Sequence, residues 1–255
     1  MNTRRITSWG RFVASMMLVL ALAHTISAQG DSFPLGIGLS FPWGEEWYSV
    51  NLLRHAPDFW EQGADGTYPW NTGEDLDVGP DGYPATLRPG YAACTMIGLG
   101  PHRPAGDYVL LWDGDGDIVM VNMTNYSVYE PSSTGTNRKV YTVTSSYLNS
   151  HAEGMALKIV QTNPANPVRN VRFLLPGFEA TYDPADEFHP LFLDRIRHFK
   201  NLRFKDWSFT DQHNSAVNWS DRVTPAHPTF AGNRGVAPEF MVRLANKLNV
   251  DPWFC

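Results

Sequence analysis

Four residues in the C-terminal third carry side chains suited to holding a sugar: Asp206, Trp207, Trp219 and Arg222. A carboxylate accepts hydrogen bonds from hydroxyls, and a guanidinium donates a fixed fork of them. An indole offers a flat π surface to the C–H face of a pyranose ring. Asp206 and Trp207 close the run Arg203-Phe204-Lys205, at the end of a strand predicted from Leu202. Trp219 and Arg222 stand in the long segment 208–233, together with His213, Asn214 and His227. Long irregular segments in compact domains are often functional. Three of the four also have a structural alternative: Asp206 capping the loop that follows, Trp219 packed beneath the loop, Arg222 paired with Asp206 or Asp221.

Other chemistry is harder to place. No Gly-x-Ser-x-Gly elbow or Cys/His pair accompanies the histidines, so nucleophilic catalysis has no local signature. Glycoside cleavage needs two carboxyl groups flanking one bond, roughly 5 to 9.5 Å apart, and no motif places such a pair. No catalytic residue is assigned. Asp113, Asp115 and Asp117 alternate as in a calcium loop, but Ile118 stands where an EF-hand turn needs Gly and Thr124 where it needs Glu. Two Asp-Gly pairs between apolar strands account for the segment as a turn. No metal site and no cofactor is expected. Phe41, Trp43, Trp47, Tyr48, Trp60, Tyr68 and Trp70 crowd together, with Glu45 and Glu46 among them. They suit either an aromatic lid or the face of a sheet. Adjacent carboxylates in a strand point to opposite faces, so Glu45 and Glu46 do not make a facing pair.

The elements that must position these residues fall into two sets. From residue 33 to about 182, short apolar runs are separated by Gly, Pro, Asn and Asp. Strands are predicted over 92–99, 108–112, 118–123, 127–129, 139–144, 156–162 and 168–174. Period-two alternation in several of them marks half-buried antiparallel strands, and their spacing argues for a β-sandwich. The runs on either side of Asp113-Gly-Asp-Gly116 read as a hairpin. A short helix is expected within 52–60, limited by Pro57. After a hinge at Asp183-Pro-Ala-Asp186 the period changes. A helix is predicted over 191–199, then the strand at Leu202. A second helix over 235–249 carries Val236, Phe240, Met241, Leu244, Ala245 and Leu248 on one side, and an apolar strand opens at Pro252. That order is a βαβ unit, the building block of parallel sheets and (β/α)₈ barrels.

Asn170-Val-Arg-Phe-Leu-Leu-Pro-Gly177, Leu202-Arg-Phe-Lys-Asp-Trp207, Trp219-Ser-Asp-Arg222 and the run from Gly235 to Asn246, followed by Asp251-Pro-Trp-Phe254, stand in that order. The set resembles a group of secreted bacterial proteins in which a β-sandwich precedes a TIM-barrel domain of glycoside-hydrolase type. The resemblance implies a sandwich over 29–185, carbohydrate-binding in character, and the start of a barrel over 186–255. It also implies a polysaccharide or oligosaccharide partner, with Asp206 at the barrel mouth. In retaining hydrolases of that barrel type the acid and nucleophile follow strands four and seven. This chain reaches what would be strand two, and no Asn-Glu dipeptide occurs in it. The expectation is therefore the front part of a larger protein, whose apolar helix face over 235–249 is left partly uncovered and whose resistant core ends near Tyr182. The alternative is a non-catalytic carbohydrate-binding or surface protein.

Composition sets further bounds. The net charge is −6, with no Lys/Arg stripe, so there is no electrostatic footprint for nucleic acid. Arg4, Arg5 and Arg11 precede an apolar stretch over 13–23 and a small-residue site at Ile26-Ser27-Ala28. This reads as an export leader over 1–28, which places the mature chain outside the cytoplasm, secreted, periplasmic or on the cell surface, with no membrane association after cleavage. Cys94 and Cys255 are the two cysteines, and each is expected to be a small buried hydrophobe.

Overall fold

The structure is a computed structural model that describes residues 33–43, 46–64, 70–98, 103–123, 126–145 and 155–255. The leader expected over 1–28, and Glu45 and Tyr68 of the aromatic group, lie outside those residues.

The chain is mainly β, and its described residues form two four-stranded antiparallel sheets and one three-stranded parallel sheet. The strands are β1 (Phe33–Gly38), β2 (Trp60–Gly63), β3 (Tyr91–Ile97), β4 (Gly106–Asp113), β5 (Gly116–Asn122), β6 (Ser133–Gly135), β7 (Arg138–Val143), β8 (Met155–Thr162), β9 (Arg169–Leu174), β10 (Phe199–Arg203) and β11 (Asp251–Trp253). Helices α1 (Pro190–Ile196) and α2 (Pro238–Leu248) flank β10 in sequence. No helix among the described residues is long and apolar enough to cross a membrane.

The antiparallel sheets run β2-β3-β8-β5 and β6-β7-β4-β9 and share one apolar core. Every second residue of a strand faces inward. Thus Ala93, Ile97, Ile118, Met120, Leu157 and Ile159 of the first sheet meet Tyr108, Leu110, Trp112, Tyr141, Val143, Val171 and Phe173 of the second. The outer face of the first sheet carries a smaller cluster of Cys94, Val121 and Ala156 beneath Trp60 and Trp70. Burial on both faces explains why β3 and β8 read as nearly continuous apolar runs. It also pushes the Cys94 thiol up to about 12, which makes it inert as a nucleophile at neutral pH. Cys255, by contrast, is exposed, because β11 lies at the edge of its sheet.

The expected hairpin across Asp113-Gly-Asp-Gly116 is not one. β4 pairs with β7 and β9, whereas β5 pairs with β8, so the turn carries the chain from one sheet to the other. Gly114 has φ 88°, and a Cβ there would meet the Pro167 carbonyl oxygen at 2.1 Å, so the arch is packed against the turn at 163–167. Asp115 N–H donates to Asn166 O at 2.8 Å, fixing that contact. Two Asp-Gly pairs suit either kind of turn, and long-range pairing decided between them. The run at 127–129 makes only an isolated bridge, Val121 to Val128. The short helix expected in 52–60 is a 3-10 turn, Leu52–His55, capped by Asn51.

The parallel sheet has the order β1-β10-β11, with Ile37 opposite Leu202 and Leu202 opposite Pro252. The expected domain edge at 185/186 therefore leaves out β1. This strand precedes the antiparallel sheets in sequence and joins the C-terminal sheet in space. Among the described residues the three strands form an open sheet and not a closed barrel. Pro238 at the first turn and Glu239 beside it suit the start of α2, and Asn249 in the left-handed region (φ 53°) ends it. The apolar face of α2 is covered, contrary to expectation, apart from Leu248, which is partly buried. Phe240 lies 4.5 Å from Phe188 and 5.1 Å from Phe230 between ring centroids, and Val236 and Leu244 are buried with it.

Candidate functional site

The four residues singled out by type and spacing are not brought to one cavity. Trp207 is 1% exposed and its indole N–H donates to Ser40 O at 3.0 Å. It ties the loop after β1 to the loop after β10 and packs against Tyr48 and Phe204, so it offers no face to a ligand. The apolar indole found its place in the core rather than at the mouth. Asp206 lies just past β10, half-buried, and its carboxylate makes no hydrogen bond or ion pair among the described residues. Trp219 is exposed, and the Arg222 guanidinium lies over its ring at 4.2 Å. Arg222 pairs with Glu239 of α2, Nε to Oε1 at 3.0 Å, and not with Asp206 or Asp221. Burial pushes the Glu239 carboxyl up, but the Arg222 hydrogen bond, a backbone hydrogen bond and the charges of Arg222 and Arg243 together outweigh it, and the net shift is downward.

The long loop is stitched down elsewhere. Asn214 Nδ2 donates to Ser208 O and to Arg234 O at 2.9 and 3.0 Å. His227 is buried, with Arg234 on Nε2 at 2.9 Å, and Thr229 Oγ1 donates to Asp58 at 2.7 Å. Burial lowers the His227 pKa, so the ring is neutral at physiological pH. His213 is exposed at φ 58°. The aspartates of the arch are each engaged as well. Asp113 holds Arg172 at 3.0 Å and Asn170 at 2.9 Å, Asp115 holds Asn163 at 3.3 Å, and Asp117 holds Lys139 at 2.6 Å. No group of three potential metal ligands occurs among the described residues.

A cavity of about 690 Å³ opens instead beside the carboxyl end of β1. Ile37, Gly38 and Leu39 form one wall and Leu191, Phe192, Arg195 and Ile196 of α1 another, with Glu46, Trp47 and His189 completing it. Parallel sheets assemble their sites at this end of the strands. The sequence places α1 here because Pro190 fits the first helical turn and His189 caps it, its Nδ1 accepting Leu191 N–H at 3.1 Å. Burial first, then the nearby Arg103 charge, lowers the His189 pKa. A neutral ring that accepts on Nδ1 carries its proton on Nε2, as a donor. Trp47 meets His189 edge-to-face at 5.6 Å, and the Arg103 guanidinium stands over the indole at 6.0 Å. Glu46 is exposed, and Arg195 makes no ion pair among the described residues.

This lining combines apolar walls with an indole, a carboxylate, a guanidinium and a neutral imidazole, the mixture that recognises a small polar ligand with apolar faces. Glu46 and Trp47 were visible in the sequence as part of the aromatic group between Phe41 and Trp70. His189 and Arg195 were not, because only the packing of α1 brings them beside β1. Nearby, Phe41 stacks on Trp43 at 4.5 Å and Trp43 meets Phe209 edge-to-face at 5.1 Å. They form a half-exposed aromatic shelf on loops that follow β1 and β10. No protein-family model, curated protein or solved structure matches this chain.

Proposed function

We infer that this is an exported carbohydrate-binding protein that takes a polysaccharide or oligosaccharide in the cavity beside β1. The observation that carries the reading is the joint lining by Trp47, Glu46, Arg195 and His189 of a cavity large enough for a short sugar chain. Trp47 supplies the stacking face. Glu46 accepts from hydroxyls, and Arg195 and His189 donate to ring or hydroxyl oxygens. The ordered motifs that resemble secreted glycoside-hydrolase-type proteins support the same substrate class. Under this reading the parallel strands belong to a barrel-type sheet, with the ligand on its carboxyl side. Binding is favoured over cleavage by the described lining, which offers one carboxylate, Glu46, where hydrolysis needs two. In a longer form of the protein the second would come from elsewhere.

The test is calorimetric titration of the chain with neutral oligosaccharides of several backbones, for the native protein and for Trp47→Ala and Trp219→Ala. At least one glycan should bind, Trp47→Ala should weaken it about tenfold, the loss of one stacking contact of roughly 1.5 kcal/mol, and Trp219→Ala should leave it within about twofold. Dependence on Trp219 alone would move the site to the 208–233 loop. No binding by any glycan would end the reading.

A further inference from the structure

A second cleft, of about 500 Å³, lies at the seam between the antiparallel sheets and the parallel part. Its lining holds four arginines: Arg54 of the 3-10 turn, Arg169 and Arg172 of β9, and Arg243 of α2. Asp81 is the one carboxylate among the lining residues. Two of the arginines are matched from outside the lining, Arg54 by buried Glu187 and Arg172 by Asp113, each at 3.0 Å. The other two hydrogen-bond only to neutral acceptors among the described residues, although the Arg243 charge also acts on Glu239 one turn earlier on α2. Arg169 donates to Asn166 Oδ1 and Pro167 O at 2.8 and 3.0 Å, and Arg243 to Pro184 O at 3.2 Å. Asp81 offsets at most one of them, and its Oδ1 already accepts Tyr83 N–H at 3.3 Å. In addition, Arg172 Nε is a buried donor with no acceptor among the described residues. An unmet buried donor is costly, and it becomes satisfied when an acceptor enters.

A positive cleft on a chain of net charge −6 is a local exception that general surface composition does not explain. The geometry points to an oxyanion site: the cleft takes a carboxylate, sulfate or phosphate group on Arg169, Arg172 and Arg243. Guanidinium forks match the paired oxygens of such groups. This site is separate from the cavity beside β1 and does not depend on the sugar reading.

Calorimetry on the full chain at low salt, with trigalacturonate, inorganic sulfate and inorganic phosphate as separate probes, tests it. At least one should bind saturably, weaken at high salt, and lose about tenfold in affinity in Arg169→Gln and in Arg243→Gln, as expected for one charge-assisted hydrogen bond. Preference for the uronide identifies a saccharide carboxylate, and preference for an inorganic ion identifies a tetrahedral group. Arg169 is exposed and Arg243 half-buried, so both variants should fold, which circular dichroism checks. Failure of all three probes to bind, or unchanged affinity in both variants, would overturn the proposal.

Discussion

The antiparallel sheets and the parallel sheet close their cores in different ways. In the first, two sheets each turn one face inward, so the strands themselves supply nearly all of the apolar surface. In the second, a three-stranded sheet has no opposing sheet among the described residues. Its core is sealed by α2, by α1 and by loop residues, among them Tyr48, Phe188, Val223 and Phe230. These come from segments far apart in sequence, and a polar junction holds them. Buried Arg54 ties Glu187 to the carbonyls of Pro225 and His227 and lies over the Phe230 ring at 4.6 Å. Ser49 and Tyr182 add further hydrogen bonds to Glu187. A core made from strands is secured by apolar contact and ladder hydrogen bonds. A core made from loops also needs charged groups that hold the loops in place, and Arg54 with Glu187 does this for the loop 208–233.

The largest test of this difference is a cavity in each core. Phe173→Ala and Phe240→Ala each remove a fully buried ring, at a cost of about 3–5 kcal/mol. Because Arg54 and Glu187 weld the two parts, both variants should lower the midpoint of one shared unfolding transition in denaturant. Two separated transitions would show that the cores unfold independently. Next comes the weld itself. Glu187→Ala leaves Arg54 buried without its carboxylate and should cost about 3 kcal/mol, the low end for a broken buried pair, because the two carbonyls remain. A loss under about 1 kcal/mol would show the junction to be dispensable.

The smallest effect is that of pH. Burial, then the Arg103 charge, brings the His55 pKa down to about 3, and burial also lowers His189 and His227. The Tyr48 ring lies tilted against His55 at 4.1 Å between centroids, and Ser49 O faces its Nε2 at 3.4 Å. The unfolded ring takes a proton near pH 6.5 while the folded one stays neutral. Stability is thus fully present above about pH 6.5 and falls as the pH drops towards 3. Between pH 6.5 and 5 the loss from His55 is about 2 kcal/mol. Thermal melts of the native chain and of His55→Gln should show a flatter pH slope in the variant, and equal slopes would remove His55 as the cause.

Much of the antiparallel part was legible because alternation at period two reports a half-buried face directly. Strands β3, β4, β5, β7, β8 and β9 fall within two residues of expectation. β1 was not legible: Phe-Pro-Leu-Gly-Ile-Gly has a proline and two glycines and takes strand form through pairing with β10. The partner of each strand was equally hidden, which is how an arch between sheets passed for a hairpin. Residue type placed Glu46 and Trp47 in an aromatic group suited to a lid or a sheet face, without assigning either to a site. It misassigned Trp207, since an indole after a strand suits a core as well as a mouth, and it gave no sign of the arginine cleft. That cleft is assembled from β9, α2, the 3-10 turn and three loops, and no local pattern records such an assembly.

The pairing of β1 with β10 has a consequence for how the chain acquires its structure. β1 leaves the ribosome before any of its partners, and its unpaired backbone must wait until both antiparallel sheets and α1 have been made. Closing so long a segment directly would be slow, since non-local contacts are entropically expensive to form. Here the antiparallel unit shortens the search. Its two ends meet where Asn51 bridges Leu174 and Val50 N–H donates to Glu187 O at 2.9 Å. Once that unit has folded, β1 and β10 emerge side by side, and their contact is local in all but sequence number. The expected order is that the antiparallel sheets condense first and the parallel sheet zips afterwards on the template they provide.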